Sequence, residues 1–205
     1  MTLLLWTALV FASPPEALVE IRTLSPHVRL DIRYATESNF TKHVVYPVAR
    51  CYLVRPVAEA LAAVQTELEK DGLGLQVFDC YRPTSVQRRF WALVPDARYV
   101  ANPQKGSRHN RGAAVDLTLV DAHGQPLPMP SEFDDFSERA HRDFTGASPA
   151  ALANRARLEQ VMTRHGFVGM PTEWWHFDAA TWKSYPLLDV DFAALPAPAI
   201  SAPTN

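Results

Sequence analysis

Two short, widely separated segments, Ser107-Arg-His-Asn-Arg-Gly-Ala-Ala-Val-Asp116 and Glu173-Trp-Trp-His-Phe177, constrain this chain more than any other feature. Each carries a histidine and a carboxylate. Asp116 lies in a run of small and apolar residues and His176 is flanked by aromatic rings, so both side chains are bound for the interior. An ionised carboxylate is costly there unless it is paired or holds a metal. The fold must therefore bring the two segments together. His109, Asp116 and His176 then form a set of two imidazoles and one carboxylate, which leaves a fourth tetrahedral position open on a zinc ion. Such an opening marks a catalytic rather than a structural site, and water held there ionises near neutral pH. Taken singly, His109 reads as a surface loop histidine and His176 as a core histidine; together with Asp116 they read as ligands. Glu173 is the candidate general base. Its spacing of three from His176 shares a face on a helix or turn but not on a straight strand, so a bend after Pro171 is expected to turn both groups inward.

The rest of the chain predicts α+β architecture. Val28, Leu30 and Ile32 alternate with charged residues, the period of a half-buried strand. Val57, Leu61, Val64 and Leu68 fall at helical spacing and end at Asp71-Gly72. Leu75 to Cys80 reads as a short strand, Thr84 to Leu93 as a helix after Pro83, and Ala113 to Leu119 as a strand with Ala114, Asp116 and Thr118 on one side. Ser148-Pro149 opens a helix, because serine accepts from the free N–H groups and proline suits the first turn; that helix stops at Gly166. Strands and helices mix without a βαβ rhythm, which points to one small, mostly antiparallel sheet flanked by helices.

A chain of 205 residues, 47% hydrophobic, supports one well-buried domain. Its net charge of −2 and lack of a basic stripe argue against a nucleic-acid partner. Leu3 to Ala12 is an apolar run of signal-peptide length, too short to span a bilayer, so residues 1–17 read as a signal peptide or N-terminal extension and the protein as periplasmic or exported. If that run is not a signal, the location is cytoplasmic. Residues 18–192 form the domain, and 193–205 read as a Pro/Ala-rich disordered tail. Cys51 and Cys80 form a disulfide or stay as two buried thiols; no CxxC pair exists for a cysteine zinc site.

Ser107-x-His109-x-x-Gly112-x-Ala114-x-Asp116 with Glu173-x-x-His176 resembles the D-alanyl-D-alanine dipeptidases, of the vancomycin-resistance type and their catabolic relatives. Tyr34-Ala-Thr-x-x-Asn-Phe-Thr41, Asp79-Cys-Tyr-Arg-Pro83 and Phe133-Asp134 upstream of Glu138-Arg139 extend the likeness from about Leu30 to Phe177. The resemblance implies a zinc fold shared with cell-wall peptidases and hedgehog-type domains, and cleavage of a free D,D-dipeptide. It implies that Glu173 is the base and that Arg82, otherwise a surface cation before a helix, stabilises the transition state. It further implies that Ser107 and Asp134 contact the substrate, with Asp134 (or its neighbour Asp135) taking the ammonium, and that Tyr34, Asn39 and Phe40 shape the pocket wall. The alternatives are a D,D- or L,D-carboxypeptidase acting on longer peptides and a non-catalytic zinc module that binds cell-wall peptides. The sequence leaves oligomeric state open.

Overall fold

Strand β5 (Ala114–Val120) is the axis of the molecule, and every one of its residues is buried. In the computed structural model, which describes residues 18–195, it lies at the centre of a five-stranded sheet. The other strands are β2 (Arg29–Leu30), β4 (Gly74–Asp79), β6 (Phe167–Met170) and β7 (Glu173–Ala179), in the order β2-β4-β5-β7-β6. Only the β2–β4 pair is parallel. A separate two-stranded antiparallel ribbon joins β1 (Leu18–Glu20) to β3 (Tyr52–Val54). The expected signal or extension at residues 1–17 and positions 196–205 of the Pro/Ala-rich tail lie outside the described residues. Ala193 and Ala194 complete a 3-10 turn begun by the buried Phe192.

Helices α1 (Arg55–Glu69) and α3 (Pro149–Arg164) pack on each other and on the sheet, while α2 (Thr84–Leu93) follows β4. Leu61, Val64 and Leu68 of α1 and Leu158, Val161 and Met162 of α3 join Val115, Leu117 and Leu119 of β5 in one core. Burying such side chains stabilises the fold by about 1.5–3 kcal/mol each. The signals that start the helices are local. Pro56 occupies the first turn of α1, and the Ser148 hydroxyl accepts from the Ala151 N–H at 3.2 Å to cap α3. Among the described residues no helix is long and apolar enough to cross a membrane.

The expected strand over Val28–Ile32 is reduced to two paired residues, although Val28 and Ile32 are both buried as their alternation requires. Cys51 and Cys80 are joined by a disulfide, with 5.2 Å between their Cα atoms.

Candidate metal centre and substrate pocket

Sheet pairing assembles the centre. Asp116 of β5 stands directly opposite His176 of β7, so two residues sixty positions apart become cross-strand neighbours. His109 enters from a 3-10 turn (His109–Arg111) that ends at Gly112 in the left-handed region, φ +62. A Cβ on Gly112 would sit 2.6 Å from Leu18 and 3.1 Å from the Val54 backbone nitrogen, so both conformation and space demand glycine there. His176 Nδ1 lies 2.9 Å from Asp116 Oδ1 and 3.2 Å from His109 Nε2, and His109 Nε2 is 3.4 Å from Asp116 Oδ1. Zinc bonds of about 2.0–2.2 Å in a tetrahedron set ligand atoms roughly 3.3–3.6 Å apart. Three buried donors of the right types at nearly that separation fit a zinc ion.

The remaining nitrogens are also committed. His109 Nδ1 donates to the Cys80 carbonyl at 2.6 Å, and His176 Nε2 to Asp178 Oδ1 at 2.9 Å. Such partners select the tautomer that leaves the opposite nitrogen free for a metal. Burial opposes a charged His176, but hydrogen bonds to Asp116 and Asp178 overcome it and push the imidazole up to about 10. Burial likewise raises the Asp116 carboxyl, yet the two histidines outweigh it and hold it well below the usual carboxylate range. A field that draws a proton into this spot also favours a dication, for which the proton must leave.

Glu173 lies within β7 rather than in a bend ahead of it. Gly169 of β6 pairs with Phe177 but Met170 pairs with Glu173, so one step along β6 faces four along β7. This bulge cancels the alternation that would have sent Glu173 and His176 to opposite faces, and Glu173 Oε2 comes within 3.8 Å of His176 Nδ1. Arg142 stabilises the irregular backbone: its Nε donates to the Met170 carbonyl at 2.9 Å and its Nη2 to the His176 carbonyl at 2.8 Å. Burial, reinforced by the charges of Asp116 and Asp134 and opposed by His176, pushes Glu173 up to about 8.

Arg82 is buried, not a surface cation. Asp79 Oδ2 accepts from its Nη2 at 2.6 Å and its Nε at 3.2 Å, while Gln87 Oε1 accepts from Nη1 at 2.9 Å. The Phe90 and Tyr34 rings flank the guanidinium at 4.7 and 5.4 Å. Arg82, Ser107, Glu173 and Asp134 line the same small cavity as the ligands, with a volume of about 90 Å³.

Asp134 lines the same cavity from loop backbone in the left-handed region, φ +62. Tyr34 Oη donates to its Oδ1 at 3.1 Å and the Phe40 N–H to its Oδ2 at 3.3 Å. Burial first, and the Asp116 charge second, push Asp134 up to about 7. Asp135 instead accepts from the Ser137 N–H at 2.9 Å and stays outside the cavity. Tyr34 and Phe40 line the cavity wall. Asn39 does not; its amide staples the loop by donating to the carbonyls of Arg33, Thr36 and His43.

Asp79, Gln87, Arg142 and Asp178 escaped the sequence reading. Asp178 could have been found as a carboxylate two positions from His176 on the same strand face, and Asp79 as the acid within Asp-Cys-Tyr-Arg. Nothing local marks Gln87 or Arg142.

Comparison with known proteins agrees with the geometry. The family model described as D-ala-D-ala dipeptidase matches residues 15–193. A D-alanyl-D-alanine dipeptidase of Escherichia coli is 40% identical over 181 residues, 88% of this chain and 94% of the relative. One from Enterococcus faecium is 35% identical, with 73% and 85% covered, and one from Streptomyces coelicolor is 32% identical, with 80% and 91% covered.

Proposed function

Because the chain belongs to the D-alanyl-D-alanine dipeptidase family, we infer that it is a zinc metallopeptidase that hydrolyses the free dipeptide D-Ala-D-Ala to two D-alanines. The observation that carries this reading is a small cavity of about 90 Å³ lined both by a metal-ligand cluster and by a buried carboxylate that burial pushes up to about 7. A longer peptide offers no ammonium to Asp134 at this position; a free dipeptide supplies the charge.

His109 Nε2, Asp116 and His176 Nδ1 would hold the zinc, which supplies Lewis acidity and a water nucleophile active near neutral pH. Asp134 pairs with the substrate ammonium and, with Tyr34 and Phe40, fixes that end of the dipeptide. Ser107 contacts the substrate from the ligand side. Glu173 takes the proton of the attacking water and returns it to the leaving amine; a carboxylate of raised pKa suits both transfers. Arg82 cannot swing, being gripped by Asp79 and Gln87, so it presents preorganised donors to the oxyanion of the attacked carbonyl. Such a donor contributes about 3–4 kcal/mol in comparable sites. The rival zinc module that only binds peptides has no use for Glu173 or for this guanidinium.

We place the protein in an oxidising compartment, periplasmic or extracellular, where its D-alanine products come from cell-wall peptides. The Cys51–Cys80 disulfide supports that location.

The test is a product assay with free D-Ala-D-Ala beside N-acetyl-D-Ala-D-Ala, with and without chelator. Blocking the amine leaves the buried Asp134 carboxylate without a counter-charge, so kcat/KM is expected to fall about 10³-fold or more. Comparable values on the two substrates would reject the dipeptidase in favour of a carboxypeptidase.

A further inference from the structure

Three parts of the centre converge on one short stretch at the end of β4. Asp79 grips Arg82, Arg82 itself faces the cavity, and between them the Cys80 carbonyl accepts from His109 Nδ1 at 2.6 Å. Asp79 forms the last ladder pair of β4 with Asp116, after a register shift, so from Cys80 onward the sheet no longer holds the backbone. The disulfide attaches at that point. Its other end, Cys51, is itself anchored: the Ile21 N–H donates to the Cys51 carbonyl at 2.9 Å, and the Tyr52 carbonyl accepts from the Tyr81 N–H at 2.9 Å. Both cysteines are fully buried.

We propose that the Cys51–Cys80 disulfide is a positioning element of the active site, which fixes the Cys80 carbonyl so that His109 keeps its proton on Nδ1 and offers Nε2 to the metal. The proposal rests on the metal-centre reading above. An imidazole whose Nδ1 loses its acceptor can place its proton on either nitrogen and can rotate, and partners of this kind typically change metal affinity 10–100-fold. The same stretch carries the Arg82 anchor, so a loosened Cys80 also disturbs the guanidinium. Removing a cross-link that only stabilised the fold would lower the melting temperature and leave metal affinity untouched.

The experiment compares the full-length protein with its Cys51→Ala/Cys80→Ala variant at 25 °C. Far-UV circular dichroism monitors folding, and competition with a chromophoric chelator measures zinc affinity. The folded variant is expected to bind zinc about 10–100-fold more weakly and, at saturating zinc, to show lower kcat with little change in KM. Its His109 ring nitrogens, followed by 15N NMR without metal, should report a mixture of tautomers where the parent shows one. As a second route, a trialkylphosphine reduces the parent disulfide; two thiols form and the phosphine leaves as its oxide, with oxygen from water. Easier loss of zinc to the competing chelator, without unfolding, is expected. Parent-like zinc affinity and kcat in a folded variant would overturn the proposal, as would unfolding of both variant and reduced protein, since the bond would then be a fold staple. Zinc affinity needs no substrate, whereas D-Ala-D-Ala turnover by the oxidised parent tests the dipeptidase reading separately.

Discussion

The two ends of the cavity are built in opposite ways. Two of the three ligands at the metal end rest on paired strands, Asp116 and His176 facing each other across β5 and β7, with His109 supplied by a 3-10 turn, and each histidine is oriented by a second hydrogen bond. The Asp134 end rests on loops, where Asp134 sits in left-handed backbone and is held by Tyr34 and the Phe40 N–H amid aromatic rings. A ladder of backbone hydrogen bonds holds ligands to fractions of an ångström, which a metal demands. Loops tolerate insertion and exchange more readily, so substrate choice can change while the metal end stays as it is.

The sharpest way to break this contrast is His176→Ala. It removes one of the three donors and is expected to eliminate bound zinc and essentially all activity; full metal content by elemental analysis would show that the strand pair is not the metal end. A smaller loss is expected from Glu173→Gln on the same strand. Glu173 neighbours the cluster without joining it, so zinc should stay while kcat falls about 10²–10⁴-fold. Loss of zinc, with the rate restored by added metal, would make Glu173 a ligand instead.

At the loop end the expected effect is on stability. In zinc-free protein Asp134 keeps its proton up to about pH 7, whereas its ordinary value is 3.8. Between those values the folded state binds the extra proton, so the group's contribution to stability falls as pH rises through the window and levels off above pH 7, by about 1.4 kcal/mol per unit within it. Asp134→Asn should abolish that component, and thermal melts of both proteins from pH 4 to 8 measure it. Parallel curves would mean that Asp134 ionises normally and that the loop end is well solvated.

The legible parts of the site were those written in short stretches of chain. His109 and Asp116 share one ten-residue segment, Glu173 and His176 one tetrapeptide, and the buried setting of Asp116 followed from its apolar neighbours. The bulge in β7 was anticipated only as a bend, because the sequence shows that Glu173 and His176 must share a face but not how a strand can allow it. Arg82 was legible only through family likeness; its type and position before α2 suggest an exposed cation, and its burial depends on an acid three residues back and a glutamine on the next helix.

The sequence by itself determined the helices, through caps and 3.6-residue periodicity, the central strand, through alternation, and the identity of the candidate ligands, through residue types that cannot be buried alone. Only the tertiary structure decided which imidazole nitrogen faces the metal, that Arg82 is immobilised, that Asp134 rather than Asp135 enters the cavity, and that Cys51 meets Cys80. Each of these turns on a hydrogen bond, a left-handed residue or a covalent bond whose partner or setting comes from elsewhere in the fold. Local propensity describes a residue's own backbone; the partners of a buried polar group are chosen by whatever the packed chain brings within 3 Å of it.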